Sequence, residues 1–161
     1  MLKYTIAVAT RYLPQCGEYA LRAMAHLAEA GGNSRVSRDI AAATGVPPNY
    51  IQKILAQLTR AGLLSAQRGT KGGYALTRRP ESISLHEVFA AVSADVERIT
   101  ACPLGRPEHT HLCPLHRRLD DAYSLIEAVF KTTTLASICE SPGQGSCAAL
   151  QALRVASTTR E

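Results

Sequence analysis

The chain has no tryptophan, and aromatic residues make up only 5% of it. Its core must therefore be aliphatic, built on Leu, Ile, Val and Ala, a composition that suits small helical domains. No run of about 18 apolar residues occurs, which excludes a membrane-spanning helix. The apolar stretch Tyr4–Thr10 is too short for a signal sequence and is interrupted by Arg11. Leu13-Pro14-Gln15-Cys16 lacks the small residues of a lipoprotein cleavage box. A cytoplasmic protein is expected, with its five cysteines serving as thiols, metal ligands or redox sensors rather than structural disulfides. Also missing are a Gly-x-Gly-x-x-Gly fingerprint, a phosphate-binding loop and a serine elbow, so no enzyme is expected.

Acid is scarce in one half. Residues 1–80 hold 11 Lys and Arg against 3 Asp and Glu, whereas residues 81–161 hold 7 against 10. A basic half joined to an acidic half points to one face that meets a polyanion. The length of 161 residues fits one domain with an appended oligomerisation element.

Ala20, Leu21, Met24, Leu27 and Ala28 recur at helical spacing within 17–30, and Gly31-Gly32-Asn33 ends that helix. Glu18 and Arg22 are placed to pair on its surface. Ser37 is read as the cap of a short second helix over 38–43, followed by a tight turn at Thr44-Gly45-Val46. A third helix starts near Pro48 and runs to about Ala61. Ile51, Ile54, Leu55 and Leu58 form its apolar stripe. The opposite face carries Asn49, Lys53, Ala56 and Arg60, flanked by Tyr50, Gln52 and Gln57, with no acid. Two short strands, 63–67 and 74–77, flank Arg68-Gly69-Thr70-Lys71-Gly72-Gly73, a basic and flexible hairpin tip. Ser84-x-x-Glu87 is a capping box that opens a fourth helix.

Helix, glycine turn, polar-faced helix and glycine-rich basic hairpin follow in the order of a winged helix-turn-helix. The fold expected is mainly α with a small two-stranded β wing, plus a long dimerisation helix. Asn and Gln can read adenine edges in the major groove and Lys or Arg guanine, while the hairpin tip reaches phosphates or the minor groove. Candidate DNA contacts are Ser37, Arg38, Pro48, Asn49, Tyr50, Gln52, Lys53, Arg60, Arg68, Gly69 and Lys71.

Downstream, Leu115, Leu119, Ala122, Ile126, Val129 and Thr133 are spaced 4-3-4-3-4, a heptad seam suited to a second copy of the chain. The organisation expected is an N-terminal extension (1–14), a DNA-binding domain (15–95), a Cys/His sensor loop (96–114), a dimerisation helix (115–138) and a tail (139–161). The loop carries Cys102-Pro103-Leu104 and Cys113-Pro114-Leu115-His116, with His109 and His111 between them. Cys102, His109, Cys113 and His116 could give a tetrahedral zinc site. Alternatively, the cysteines are thiols without metal. Cys16, Cys139 and Cys147 have no assigned role, though the last two flank a Pro/Gly loop where a thiol switch could form. His26 and His86 lie on helices, away in sequence from the Cys/His loop.

Glu18-Tyr19-Ala20-Leu21-Arg22, Ile40-Ala41, Tyr50-Ile51-x-x-Ile54-Leu55-x-x-Leu58, Gly62-Leu63-Leu64, Arg68-Gly69-x-x-Gly72-Gly73-Tyr74-x-Leu76 and Cys-Pro-Leu-His together carry a resemblance. From about Gln15 to Ile138 the chain resembles the iron–sulfur cluster regulators and nitric-oxide-sensing repressors, the IscR/NsrR-type "Rrf-two" family. Residues 1–14 exceed that family's usual start, as a misassigned start codon would produce. The resemblance implies DNA contacts at Asn49, Tyr50, Gln52, Lys53, Arg68 and Gly69, and dimerisation through the heptad helix. It implies a homodimeric repressor of palindromic promoter DNA that senses redox state, nitric oxide or iron–sulfur status.

That family holds its cluster with three loop cysteines. Here Cys102 and Cys113 match the first and last, while His109 or Glu108 stands near the middle position. A [2Fe–2S] centre with mixed Cys and His ligands is chemically feasible. Some members add an acid from the first helix, where this chain has Glu18. Two other readings stay open: the same regulator without a cluster, answering thiol oxidation, a small ligand or a partner protein, and a zinc-stabilised interaction module.

Overall fold

A computed structural model describes residues 13–67, 69, 72–95, 97–103 and 111–139 of the chain. Residues 1–12, Arg68 and Lys71 of the hairpin tip, His109 of the loop and the tail from 140 onward lie outside the described residues.

Three helices come first: α1 (Gln15–Glu29), α2 (Ser37–Thr44) and α3 (Pro48–Arg60). The spacing of apolar residues explains their packing. Ala20, Ala23, Met24 and Leu27 of α1 are buried against Ile40 of α2 and Ile51, Ile54, Leu55 and Leu58 of α3. The α2–α3 turn depends on Gly45, whose φ of 69° lies in the left-handed region, where a side chain would be strained. Ser37 is not the cap of α2. The first helical hydrogen bonds already come from the Val36 carbonyl, which accepts from Asp39 and Ile40, so Ser37 is inside the helix and Val36 is the cap.

After α3, β1 (Leu64–Gln67) pairs antiparallel with β2 (Gly73–Leu76) in a register that sets Leu64 opposite Leu76. Leu63 is not in the strand, because its N–H closes α3 on the Leu58 carbonyl. The hairpin is fastened to the helices by an isolated bridge. Arg35 N–H donates to Tyr74 O at 3.0 Å, and Tyr74 N–H donates to Arg35 O at 2.8 Å. Gly73 allows this approach, since a Cβ there would stand 2.7 Å from the Arg35 carbonyl oxygen.

A short 3-10 turn (Pro80–Ser82) leads into α4 (Leu85–Ala91). Its capping box forms as expected: the Ser84 hydroxyl accepts from Glu87 N–H, and the Glu87 carboxylate accepts from Ser84 N–H at 2.8 Å. Val88 and Phe89 of α4 complete the core.

The long helix α5 runs from Pro114 to Thr132, and none of its residues is buried. The chain then breaks and forms a separate helix, α6 (Leu135–Cys139). One continuous helix over 115–138 is therefore wrong. Residues 133–135 are captured by the start of α4, with Leu85 N–H donating to Thr133 O at 2.9 Å and Leu135 N–H to Ile83 O at 2.8 Å. Thr133 leaves the helix with φ −85° and ψ 123°, which also removes it from the heptad seam. Buried Leu135 and the Phe89–Phe130 ring contact, 4.6 Å between centroids, tie the C-terminal end of α5 to the core. No helix among the described residues is long and apolar enough to cross a membrane.

Candidate nucleic-acid interface and metal centre

Helix α3 is sharply two-sided. Ile51, Ile54, Leu55 and Leu58 are buried, while Pro48, Asn49, Tyr50, Gln52, Lys53, Ala56 and Arg60 are exposed. Packing of the apolar stripe against α1 thus forces the polar face outward, where no acid opposes a phosphate. Tyr50 is steadied by an edge-on contact with Tyr19 of α1, 5.8 Å between ring centroids. Arg38 is exposed at the start of α2, with Ser37 half-buried beside it, and Gly69 is exposed at the hairpin tip.

One cation near this face was not singled out in the sequence. Arg35 is exposed, and its backbone bridge to Tyr74 places it between α2 and the wing. The three-residue gap between Asn33 and the second helix reads as loop. Nothing in its pattern reveals that Arg35 pairs with a strand forty residues on.

Helix α5 presents two stripes. Leu115, Leu119, Ala122, Ile126 and Val129 are all exposed, Leu115 at 64% and Val129 at 57%. One position on, His116, Asp120, Tyr123, Glu127 and Phe130 are half-buried and face the chain's own residues. The heptad seam is thus an apolar face that the described residues of the chain leave uncovered.

At the beginning of α5, Cys102, Cys113 and His116 converge, and their Sγ and ring nitrogen atoms lie within 4.8 Å of one another. His116 Nδ1 is 3.1 Å from Cys113 Sγ and 3.6 Å from Cys102 Sγ. Cys113 stands at the N-cap position of α5 without a side-chain capping hydrogen bond, and the nearby backbone N–H of His116 holds its thiol below the ordinary value, favouring the thiolate that binds metals. The donor chemistry fits a metal: two thiols and an imidazole suit iron or zinc. In a tetrahedral zinc site, sulfur and nitrogen donors stand about 3.5–3.8 Å apart, close to the spacing observed.

Glu18 is not brought to these three residues within the chain. Its carboxylate is held by Arg22, whose guanidinium also donates to the Thr44 carbonyl at 3.4 Å. The pair expected from spacing is present, half-buried rather than on the surface.

The family model for Rrf2, described as an iron-dependent transcriptional regulator, matches residues 13–141. A protein of Mycobacterium tuberculosis provisionally named as an HTH-type transcriptional regulator is 33% identical over 126 residues, covering 75% of this chain and 76% of that one. The HTH-type transcriptional regulator NsrR of Bacillus licheniformis is 30% identical over 125 residues, covering 75% and 87%. Among solved structures, CymR of Staphylococcus aureus superposes with a TM-score of 0.65 at 26% identity, covering 81% of this chain and 100% of that one.

Proposed function

The chain belongs to the Rrf2 family of transcriptional regulators, and we propose that it acts as a homodimeric, metal-responsive repressor reading palindromic promoter DNA. The observation that carries the DNA reading is the split of α3: four aliphatic residues fix it in the core, and the acid-free face from Asn49 to Arg60 is left for the groove. Ser37, Arg38, Arg68, Gly69 and Lys71 would contact the backbone beside it. The exposed stripe Leu115, Leu119, Ala122, Ile126 and Val129 would close against the same stripe of a second copy, burying an apolar face that water otherwise covers. Two recognition helices would then meet successive half-sites.

Cys102, Cys113 and His116 would hold the metal centre, a [2Fe–2S] cluster in the leading reading, with His109 as a further donor. The iron-dependent character of the family model supports iron. The close grouping of the three donor atoms favours zinc as the second reading. In either case the group would supply a change of charge and bonding at the start of the helix that carries the dimer stripe. Because α5 bears both features, gaining or losing the metal would shift the spacing of the recognition helices.

Two experiments test this. DNA affinity measured across a salt series on a duplex enriched from a random library should fall steeply with salt, and a flat response would contradict the interface. Protein purified without oxygen should be brown and contain iron and acid-labile sulfide. Colourless protein containing zinc would favour the second reading, and protein with no metal would contradict both.

A further inference from the structure

We propose that Arg98 and Asp120 form a clamp that delivers Cys102 to Cys113 and His116, making both positioning residues for the metal centre. The inference rests on the reading of those three residues as a metal site.

Cys113 and His116 are three residues apart on the first turn of α5 and meet whatever the rest of the chain does. Cys102 has no such guarantee, because residues 97–103 contain neither helix nor strand. They are held to α5 by a fork. Arg98 Nε donates to Asp120 Oδ1 at 2.7 Å and the terminal nitrogen to Oδ2 at 2.6 Å, while Ile99 N–H donates to Oδ1 at 3.0 Å. Glu127 flanks the guanidinium at 3.9 Å and is itself bound to Lys131 at 2.7 Å. Asp120 is largely covered, its side chain 15% exposed.

His116, Asp120 and Glu127 follow one another at steps of four and seven, so they share a face of α5. Residues 98–102 run along that face in the opposite direction, with Ile99 at Asp120 and Cys102 at His116. Dimensions agree with this. A helix rises about 1.5 Å per residue, which puts His116 about 6 Å along the axis from Asp120. Three residues of extended chain reach at most about 10 Å. Fixing Ile99 at Asp120 therefore keeps Cys102 within one short span of His116. A two-point Arg–carboxylate pair fixes direction as well as distance, which a lysine cannot reproduce.

The test is anaerobic titration of the full-length apo-protein with Co(II), whose visible absorption reports thiolate ligation, in competition with a chelator. Arg98→Met, Arg98→Lys and Asp120→Asn should each weaken Co(II) binding about tenfold or more, as loss of groups that orient ligands does. At saturating Co(II) they should show about half the sulfur-to-cobalt absorption of the wild type, since Cys113 still ligates and Cys102 does not. Removing Cys102 (Cys102→Ala) should cost far less in the Arg98→Met background than in the wild type. Equal costs in both backgrounds, or wild-type affinity in Arg98→Met, would overturn the clamp while leaving the metal site standing. Wild-type protein that takes up no Co(II) would overturn the metal site and the clamp together. If Arg98→Met loses its helical circular dichroism, Arg98→Lys decides, since wild-type affinity in that folded variant counts against the clamp.

Discussion

Cys102 Sγ lies 3.6 Å from Nδ1 of His116, although fourteen residues separate them in the chain. That proximity turns a local Cys113–His116 pair into a three-donor site at the foot of the helix that carries the exposed apolar stripe. Ligand chemistry and quaternary structure therefore share one element, and the expectations below separate their contributions.

Lys53→Ala and Asn49→Ala remove groups from the exposed face of α3 without touching its buried stripe. Each should weaken binding to an enriched duplex by about 1–3 kcal/mol and relax sequence preference at one position. Arg35→Ala, at the junction of α2 and the wing, should instead weaken binding evenly across sequences and lower the salt slope by about one. Fluorescence anisotropy across duplex variants distinguishes the two patterns.

Leu119→Glu combined with Ile126→Glu places charge in the centre of the exposed stripe. Sedimentation velocity should show a dimer for the wild type and a monomer for this variant, with helical circular dichroism unchanged. The fold should tolerate the change because no residue of α5 is buried in the single chain.

Much of this was legible in the sequence because it follows from periodicity. The buried stripe of α3 and the Ser84–Glu87 capping box are local patterns that formed where expected, while the heptad spacing put Leu115 to Val129 on one exposed face of α5 and overran the helix at Thr133. What escaped was decided at a distance. The break at Thr133 depends on pairing with Ile83 and Leu85, fifty residues earlier, although Thr132-Thr133-Thr134 offered a hint, since β-branched residues are poor helix formers. Arg35 beside the wing and Arg98 on Asp120 are likewise tertiary contacts without a sequence pattern. Three of the four loop ligands expected from composition converge in the described residues, but spacing alone does not reveal the fork that positions Cys102.

Ser84→Ala removes one half of the capping box of α4. Loss of about 1 kcal/mol in stability is expected, read as a lower midpoint in urea with an unchanged slope. The effect should be confined to stability, with Co(II) affinity unaltered, because Ser84 does not touch the metal-binding residues.

Hydrogen bonding from Arg98 holds the Asp120 carboxyl below its ordinary value of 3.8, with the Ile99 N–H adding to the effect. A carboxylate whose value is lowered by folding stabilises the fold above its ordinary value and stops doing so as pH falls through the lowered one. The stability difference between wild type and Asp120→Asn should therefore be constant from about pH 8 to pH 5 and shrink only under more acidic conditions. Urea midpoints at several pH values check this. A difference that vanishes near neutrality would contradict the assignment.

Hydroxyl-radical footprinting of the wild-type protein on its enriched duplex tests the central claim most directly. Two protected patches on one face of the duplex, centred about 10 base pairs or a multiple of that apart, are expected, with flanking protection from the wings. Protection should fade together in both patches for the Leu119→Glu, Ile126→Glu protein. A single patch in the wild type, or two that survive in the monomeric variant, would contradict a dimer that reads DNA through paired α3 helices.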